Sequence, residues 1–220
     1  NGESLSRHIL YTKRYLGNLF DIDPDSIKID FSPDTFGHNW NCPEIDQNGG
    51  VDYYYHMRAN DDQADIYRWR SKSGKEVLVY HDNKGYNGSI GVCEFIDTPL
   101  YCKKNNTNVN LFVYGVGDHG GGPTRNDIER LMDDMTFPLY PTLEFGTYHK
   151  FFDEINKVRE NFPVTNREIN FVFTGCYTTQ TRIKRGNRKS EATLNSAEAM
   201  MAFSGIRWDE KKHETAWQNL

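Results

Sequence analysis

The chain has 220 residues, a formal net charge of −5, and charged residues of both signs interspersed along it. That length allows one domain with a real core, or a domain plus part of another. The charge balance argues against a nucleic-acid footprint or a patch for anionic membranes, and no apolar run approaches the length of a membrane span.

Aromatic residues make up 14% of the chain, including 13 Tyr and 4 Trp. Such rings suit flat, hydroxylated ligands such as sugars, and equally suit an ordinary core. Cys42, Cys93, Cys102 and Cys176 form no CxxC pair, which argues against a zinc knuckle. Cys93 and Cys102 are either a bridged loop in an oxidising compartment or buried thiols. Asn87-Gly88-Ser89 and Asn105-Asn106-Thr107 match the glycosylation pattern, a common chance match. The compartment is therefore left open between cytoplasmic and periplasmic or secretory. The chain opens in mid-pattern and closes abruptly, so a fragment of a longer protein is expected.

In chain order, residues 3–20 predict an amphipathic helix, with Leu5, Ile9, Leu10, Tyr15, Leu16 and Phe20 near helical spacing. A turn at 21–25 leads into an alternating strand at 27–31, which stops at Pro33. Residues 51–58 read as a strand ending in Arg58. Residues 64–69 and 76–80 read as a hairpin around Lys72-Ser73-Gly74-Lys75, delivering His81 and then Tyr86 and Asn87. Through about residue 108 the chain is rich in Gly and Asn and only weakly periodic. A strand is expected at 110–115, then a helix capped by Thr124 with Asp127 three residues on. A short strand at 143–145, a helix at 147–161 with Phe151, Phe152, Ile155 and Val158 inward, and a strand at 169–173 follow. A long helix from 178 to about 203 ends at Gly205, and Asp209 starts another. Strands alternating with helices predict an α/β fold. The expected division is residues 1–174 for that part and 175–220 for the start of a helical bundle.

Two strand ends carry unusual side chains: Asp34 with His38, and Asp118 with His119. Asp34 is either a backbone-capping turn residue or part of a site. In a parallel α/β barrel the carboxyl ends of the strands converge on one face, so distant acids meet there. Two acids on such a face are the minimum equipment for glycoside hydrolysis. The Gly120-Gly121-Gly122-Pro123-Thr124 turn lacks the P-loop and dinucleotide patterns, and Pro123 removes an N–H from any phosphate cradle. Close backbone approach to a ligand beside Asp118 is the simpler role for these glycines. Arg58, Trp69, His81 and Tyr86 are further candidates for the same cleft, each with a structural alternative in the core or an ion pair. The basic residues Arg182, Lys184, Arg185, Arg188 and Lys189 read as a solvated helix face.

Four blocks, in order, resemble the α-mannosidases of glycoside hydrolase family 38. They are residues 1–14, Pro33-Asp34-Thr35-Phe36-Gly37-His38, Gly117-Asp118-His119-Gly120-Gly121-Gly122-Pro123-Thr124, and residues 175–188 beginning Gly175-Cys176-Tyr177. The resemblance implies a zinc-dependent retaining α-mannosidase, with an N-terminal parallel α/β barrel followed by a helical bundle. It implies that Asp34 is both nucleophile and zinc ligand, that Asp118 is the acid/base or a sugar contact, and that His119 lies at the same site. Relatives with two consecutive acids use the second as acid/base, and His119 stands there, so the proton donor is left open. Phe31 stands where relatives often have Trp. The remaining ligands for Zn2+ are expected outside these residues, as a His-x-Asp pair before Asn1 and a His after Leu220. The piece alone is accordingly expected to be inactive. The implied partner is an α-mannoside or mannose-containing oligosaccharide. Whether the parent is a homo-oligomer is open. A non-catalytic carbohydrate-binding protein and another sugar-active barrel hydrolase are the competing readings.

Overall fold

The computed structural model describes residues 2–59, 64–89, 91–170, 172–207 and 209–220, without the side chains of Val92 and His119. Its sheet has five strands: β1 (Ile29–Ser32), β2 (Tyr53–His56), β3 (Ile66–Arg70), β4 (Glu76–His81) and β5 (Val164–Thr165). Their order is β1-β2-β4-β3-β5. β1, β2 and β4 are parallel neighbours, whereas β3 and β4 form the antiparallel hairpin expected around residues 72–75. The α/β class is thus present, built on a mixed sheet.

Alternation along the strands buries both faces. On one face Tyr55, Ile66, Leu78 and Tyr80 pack against Phe151, Phe152 and Ile155 of the helix α5 (Tyr148–Asn156). Tyr53 stacks on Phe152 with ring centroids 4.7 Å apart. On the other face lie Tyr54, Tyr67, Trp69, Val77 and Val79 with Ile169, and Cys42 of α2 (Cys42–Asn48) packs against them. A sheet lined on both faces by aromatic and β-branched side chains needs a helix or loop layer on each.

Several expected elements differ in form. Residues 110–115 run extended, with Leu111 and Val113 toward the α5 core and Phe112 and Tyr114 toward a smaller cluster around Phe95 and Leu131. Their one bridge, Gly115 to Gly88, is isolated rather than part of a ladder. Residues 143–145 have no strand pairing, and of 169–173 the bridge is Ile169 with His38, Phe171 lying outside the described residues. The Gly- and Asn-rich region instead contains a 14-residue helix, α3 (Val92–Asn105). Pro99 interrupts its pattern, and Ile96 and Leu100 point outward, which hides the helical period. The cap of α4 (Arg125–Asp134) matches expectation: Thr124 Oγ1 accepts from Asp127 N–H, and Asp127 Oδ2 accepts from Thr124 N–H. All four cysteines are free thiols, so Cys93 and Cys102 of α3 form no bridge.

Residues Asn1–Ser26 and Phe173–Leu220 form one compact unit, and Ile27–Val172 the other. The first contains α1 (Gly2–Phe20), α6 (Thr181–Ser204) and α7 (Glu210–Gln218). Its centre is polar. Glu198 accepts two bonds from Arg7, at 2.9 and 3.0 Å, and one from Trp217 Nε1 at 2.8 Å. The Arg7 guanidinium lies 3.8 Å from the Trp217 ring centroid. Gly205 ends α6 at φ +67°, the left-handed cap expected there. Among the described residues no helix is long and apolar enough to cross a membrane.

One polar feature of the second unit has no apolar explanation. Asp30 of β1 and Asp46 of α2 face one another beside Tyr54 and Cys42, with Asp46 only 2% exposed and its Oδ2 given no donor by any other side chain among the described residues. Two buried carboxyls share a site by holding a proton between them. Burial, then the Asp30 charge, pushes the Asp46 carboxyl up to about 8. A carboxyl raised from its ordinary 3.8 binds more protons folded than unfolded, so stability falls as pH rises from about 4 to about 8. Asp46→Asn supplies a donor to Asp30 without a titratable group. The variant should gain on the wild type progressively across that window, by about 1–3 kcal/mol at pH 8, in thermal or urea unfolding. A difference that does not change with pH would remove the shared proton.

Candidate active site

The parallel register sets where side chains can meet. Ser32, the last residue of β1, pairs with His56, the last of β2, and His56 pairs with His81, the last of β4. Each chain therefore leaves the sheet at one level along its carboxyl edge, where ligands of α/β sheets bind. Two residues further on stand Asp34 and Arg58. Arg58 Nε donates to Asp34 Oδ1 at 2.6 Å, and the Arg58 side chain also lies 5.9 Å from the Phe36 ring centroid. Both members of the pair are about two-fifths exposed. The Arg58 guanidinium is raised above its ordinary range, first by its bond to Asp34 and further by the charges of Tyr86 and Asp118. Asp34, Arg58, Tyr86 and Asp118 thus share one electrostatic neighbourhood.

The loop after β4 carries Tyr86 there. Buried Asp82 accepts the Tyr55 hydroxyl at 2.7 Å and the backbone N–H groups of Lys84 and Gly85 at 3.1 and 3.0 Å. This side-chain-mimicked turn, with Gly85 at φ +76°, reverses the chain. Gly88 and Gly115 then exchange two backbone hydrogen bonds, of 3.2 and 2.9 Å, and draw the 117–119 turn alongside. Asp118 is exposed on that turn and bonds Asn87. The side chain of His119 lies outside the described residues.

The other two candidates sit differently. Trp69 is fully buried, and its Nε1 donates to Arg167 O at 2.8 Å, so its ring is core rather than cleft wall. His81 is 5% exposed, stacks on His56 with centroids 4.7 Å apart, and donates through Nε2 to Met57 O. His56, which no sequence motif singles out, donates through Nδ1 to Arg58 O because a carbonyl can only accept, leaving Nε2 to accept from the Tyr67 hydroxyl. His38, expected beside Asp34, is buried too: Nδ1 meets the Tyr54 hydroxyl at 2.7 Å, and its ring lies 5.0 Å from His56. These three rings form a floor beneath the Asp34 and Arg58 loops. Among the described residues no three His, Cys, Asp or Glu side chains converge into a metal-binding group. The exposed Asp34 carboxylate could serve as a ligand to a zinc ion, but the ion would need further ligands beyond this group of residues.

A family model described as the glycosyl hydrolases family 38 N-terminal domain matches residues 1–171, and one described as the alpha mannosidase middle domain matches 172–220. Alpha-mannosidase G of Dictyostelium discoideum is 29% identical over 92% of this chain and 19% of its own length. An alpha-mannosidase of Saccharomyces cerevisiae is 28% identical over the whole chain and 22% of its own. The crystal structure of an alpha-mannosidase from Enterococcus faecalis superposes with a TM-score of 0.57 at 16% identity, over 77% of this chain and 20% of that one. The chain spans about a fifth of the length of the curated relatives it matches.

The histidine floor predicts how stability depends on acid. Burial lowers all three imidazoles, His38 to about 4, with the neighbouring His81 charge adding to the effect on His38 and His56. A base lowered from its ordinary 6.5 binds fewer protons folded than unfolded, so stability falls as pH drops from 6.5 toward 4. By pH 5 the loss is about 2 kcal/mol for His38, and His56 and His81 add to it in the same direction. Three rings outweigh the opposing Asp46 carboxyl in that window, and above 6.5 Asp46 acts without them. Stability measured by urea unfolding should therefore peak near pH 6.5. A continued rise from pH 6.5 to 8 would contradict the Asp46 assignment, and no loss of stability below 6.5 would contradict the histidine one.

Proposed function

The chain belongs to glycoside hydrolase family 38, and from that premise we propose that the protein carrying it hydrolyses terminal α-mannosides with retention of configuration, using zinc and a covalent mannosyl–Asp34 intermediate. The observation that carries the reading is the Asp34 carboxylate just past the end of β1, clamped by Arg58, whose field also includes Asp118. In the first step Asp34 attacks the anomeric carbon, the bond to the leaving oxygen breaks, and that oxygen takes a proton from Asp118. In the second, water attacks the same carbon, gives its proton to Asp118, and the bond to Asp34 breaks. Retention follows from two inversions.

Arg58 orients Asp34 for attack, and Phe36 and Tyr86 offer ring faces to the sugar. Trp69 and His81 support this edge from below. A zinc ion held by Asp34 and by ligands outside these residues would orient and polarise the sugar's vicinal hydroxyls. The substrate class, a mannose-containing oligosaccharide or simple α-mannoside, is supported by relatives named as alpha-mannosidases.

The test uses the full-length protein. Asp34→Asn should reduce turnover of an aryl α-mannoside on the order of 10³-fold or more, and a fluorinated mannoside should leave its label on the Asp34 peptide. Chelation should abolish turnover and added zinc restore it. Near-normal activity of Asp34→Asn, or label on another carboxylate, would displace Asp34 as nucleophile. Sugar binding with no label and no turnover would favour a non-catalytic carbohydrate-binding protein.

A further inference from the structure

Asn87, 31 residues before Asp118 in sequence, makes two hydrogen bonds with it. The Asp118 backbone N–H donates to Asn87 Oδ1 at 3.1 Å, and Asn87 Nδ2 donates to Asp118 Oδ1, also at 3.1 Å. Donor and acceptor chemistry fixes the orientation of this amide. A backbone N–H only donates, so the carbonyl end of Asn87 faces it, and the NH2 end must face the carboxyl. Asp118 Oδ1 is thereby an acceptor, and the NH2 group facing it can receive no proton from it. We infer that Asn87 is a positioning residue for Asp118: its carboxamide holds one carboxyl oxygen as an acceptor and so assigns proton exchange with the glycosidic oxygen to the other.

The surroundings are shaped for this clamp. Gly117 has φ +64°, and a Cβ on it would overlap Asn87 Oδ1. No residue with a side chain fits there while the amide stays in place. The paired backbone bonds between Gly88 and Gly115 hold the two segments at the needed spacing from one residue beyond Asn87. One residue before it, the Tyr86 ring closes on the same side of Gly117, its Cδ2 only 3.1 Å from where such a Cβ would stand. The carboxamide thus ties down both the backbone and the side chain of Asp118, which a donor or acceptor alone could not do.

This inference rests on Asp118 as the proton donor, and leaving-group dependence separates the two. A dinitrophenyl mannoside needs no protonation to depart, whereas an alkyl mannoside does. In the full-length protein, Asp118→Ala should lose kcat/KM on the alkyl substrate and largely keep it on the dinitrophenyl one. Asn87→Ala should follow the same pattern more weakly, about 10- to 100-fold down on the alkyl substrate and within about 3-fold on the other. Added to Asp118→Ala, it should cost nothing further. Asn87→Asp keeps the shape but replaces the donor with a like charge, and should move the basic limb of the pH–rate profile upward. Fluorinated-mannoside labelling of Asp34 counts correctly folded sites in each variant, and rates are taken per labelled site. If Asp118→Ala lacks the leaving-group pattern, the proton-donor reading falls. If Asp118→Ala shows it and Asn87→Ala affects both substrates equally, or neither, the positioning role of Asn87 falls.

Discussion

The parallel register of β1, β2 and β4 is the constraint on which the site depends. With Ser32, His56 and His81 aligned across three strands, the residues that follow each strand have little choice of neighbour. Asp34 and Arg58 both lie two residues beyond that line, and their 2.6 Å contact is a direct consequence. A one-residue slip would turn every side chain to the opposite face and put both tyrosine-rich cores in the wrong layer. Packing of Tyr55 and Leu78 against Phe152 therefore positions the polar edge as well as stabilising the sheet.

The same edge explains why so much polar surface is buried directly beneath it. His38, His56 and His81 are held neutral by burial, and their hydrogen bonds end on Tyr54, Tyr67, and the carbonyls of Arg58 and Met57. Both carbonyls belong to the loop that carries the Arg58 guanidinium. Buried polar groups cost stability unless their partners are in place, so these bonds specify the loop conformation more sharply than an apolar floor would, although His38 Nε2 itself has no partner among the described residues. The cost appears as sensitivity to acid, and the geometry of Arg58 is the return on it.

What the sequence revealed followed local chemistry. The Thr124–Asp127 capping box, the Gly205 stop and the hairpin around residues 72–75 depend on near neighbours, and each appears as read. Asp34 was legible because Pro33 ends an alternating run. α3 was not, since Pro99 and outward-facing Ile96 and Leu100 break its period while Phe95 carries the packing. Trp69 looked like a cleft residue because its type is ambiguous, and burial was decided by the far strand, β5, and by Arg167. The turn closed on Asp82 was legible in principle, as Asp82-Asn83-Lys84-Gly85 is an Asx-turn pattern. The Asn87–Asp118 clamp was not, because no local rule pairs residues 31 positions apart.

The protein contains two acid pairs handled in opposite ways. Half-buried Asp30 and buried Asp46 lie among Tyr54 and Cys42, no basic side chain among the described residues offsets them, and a shared proton removes one of their two charges. Asp34 and Asp118 stand at the solvent edge in the field of one guanidinium, which bonds Asp34 directly. A shared proton relieves the repulsion within a buried pair, but it makes both members poor nucleophiles. An arginine lets two carboxylates approach one substrate while one stays ionised for attack and the other exchanges a proton through the oxygen that Asn87 leaves to it. The chemistry proposed for this edge requires the second arrangement, and Arg58 is the side chain that provides it.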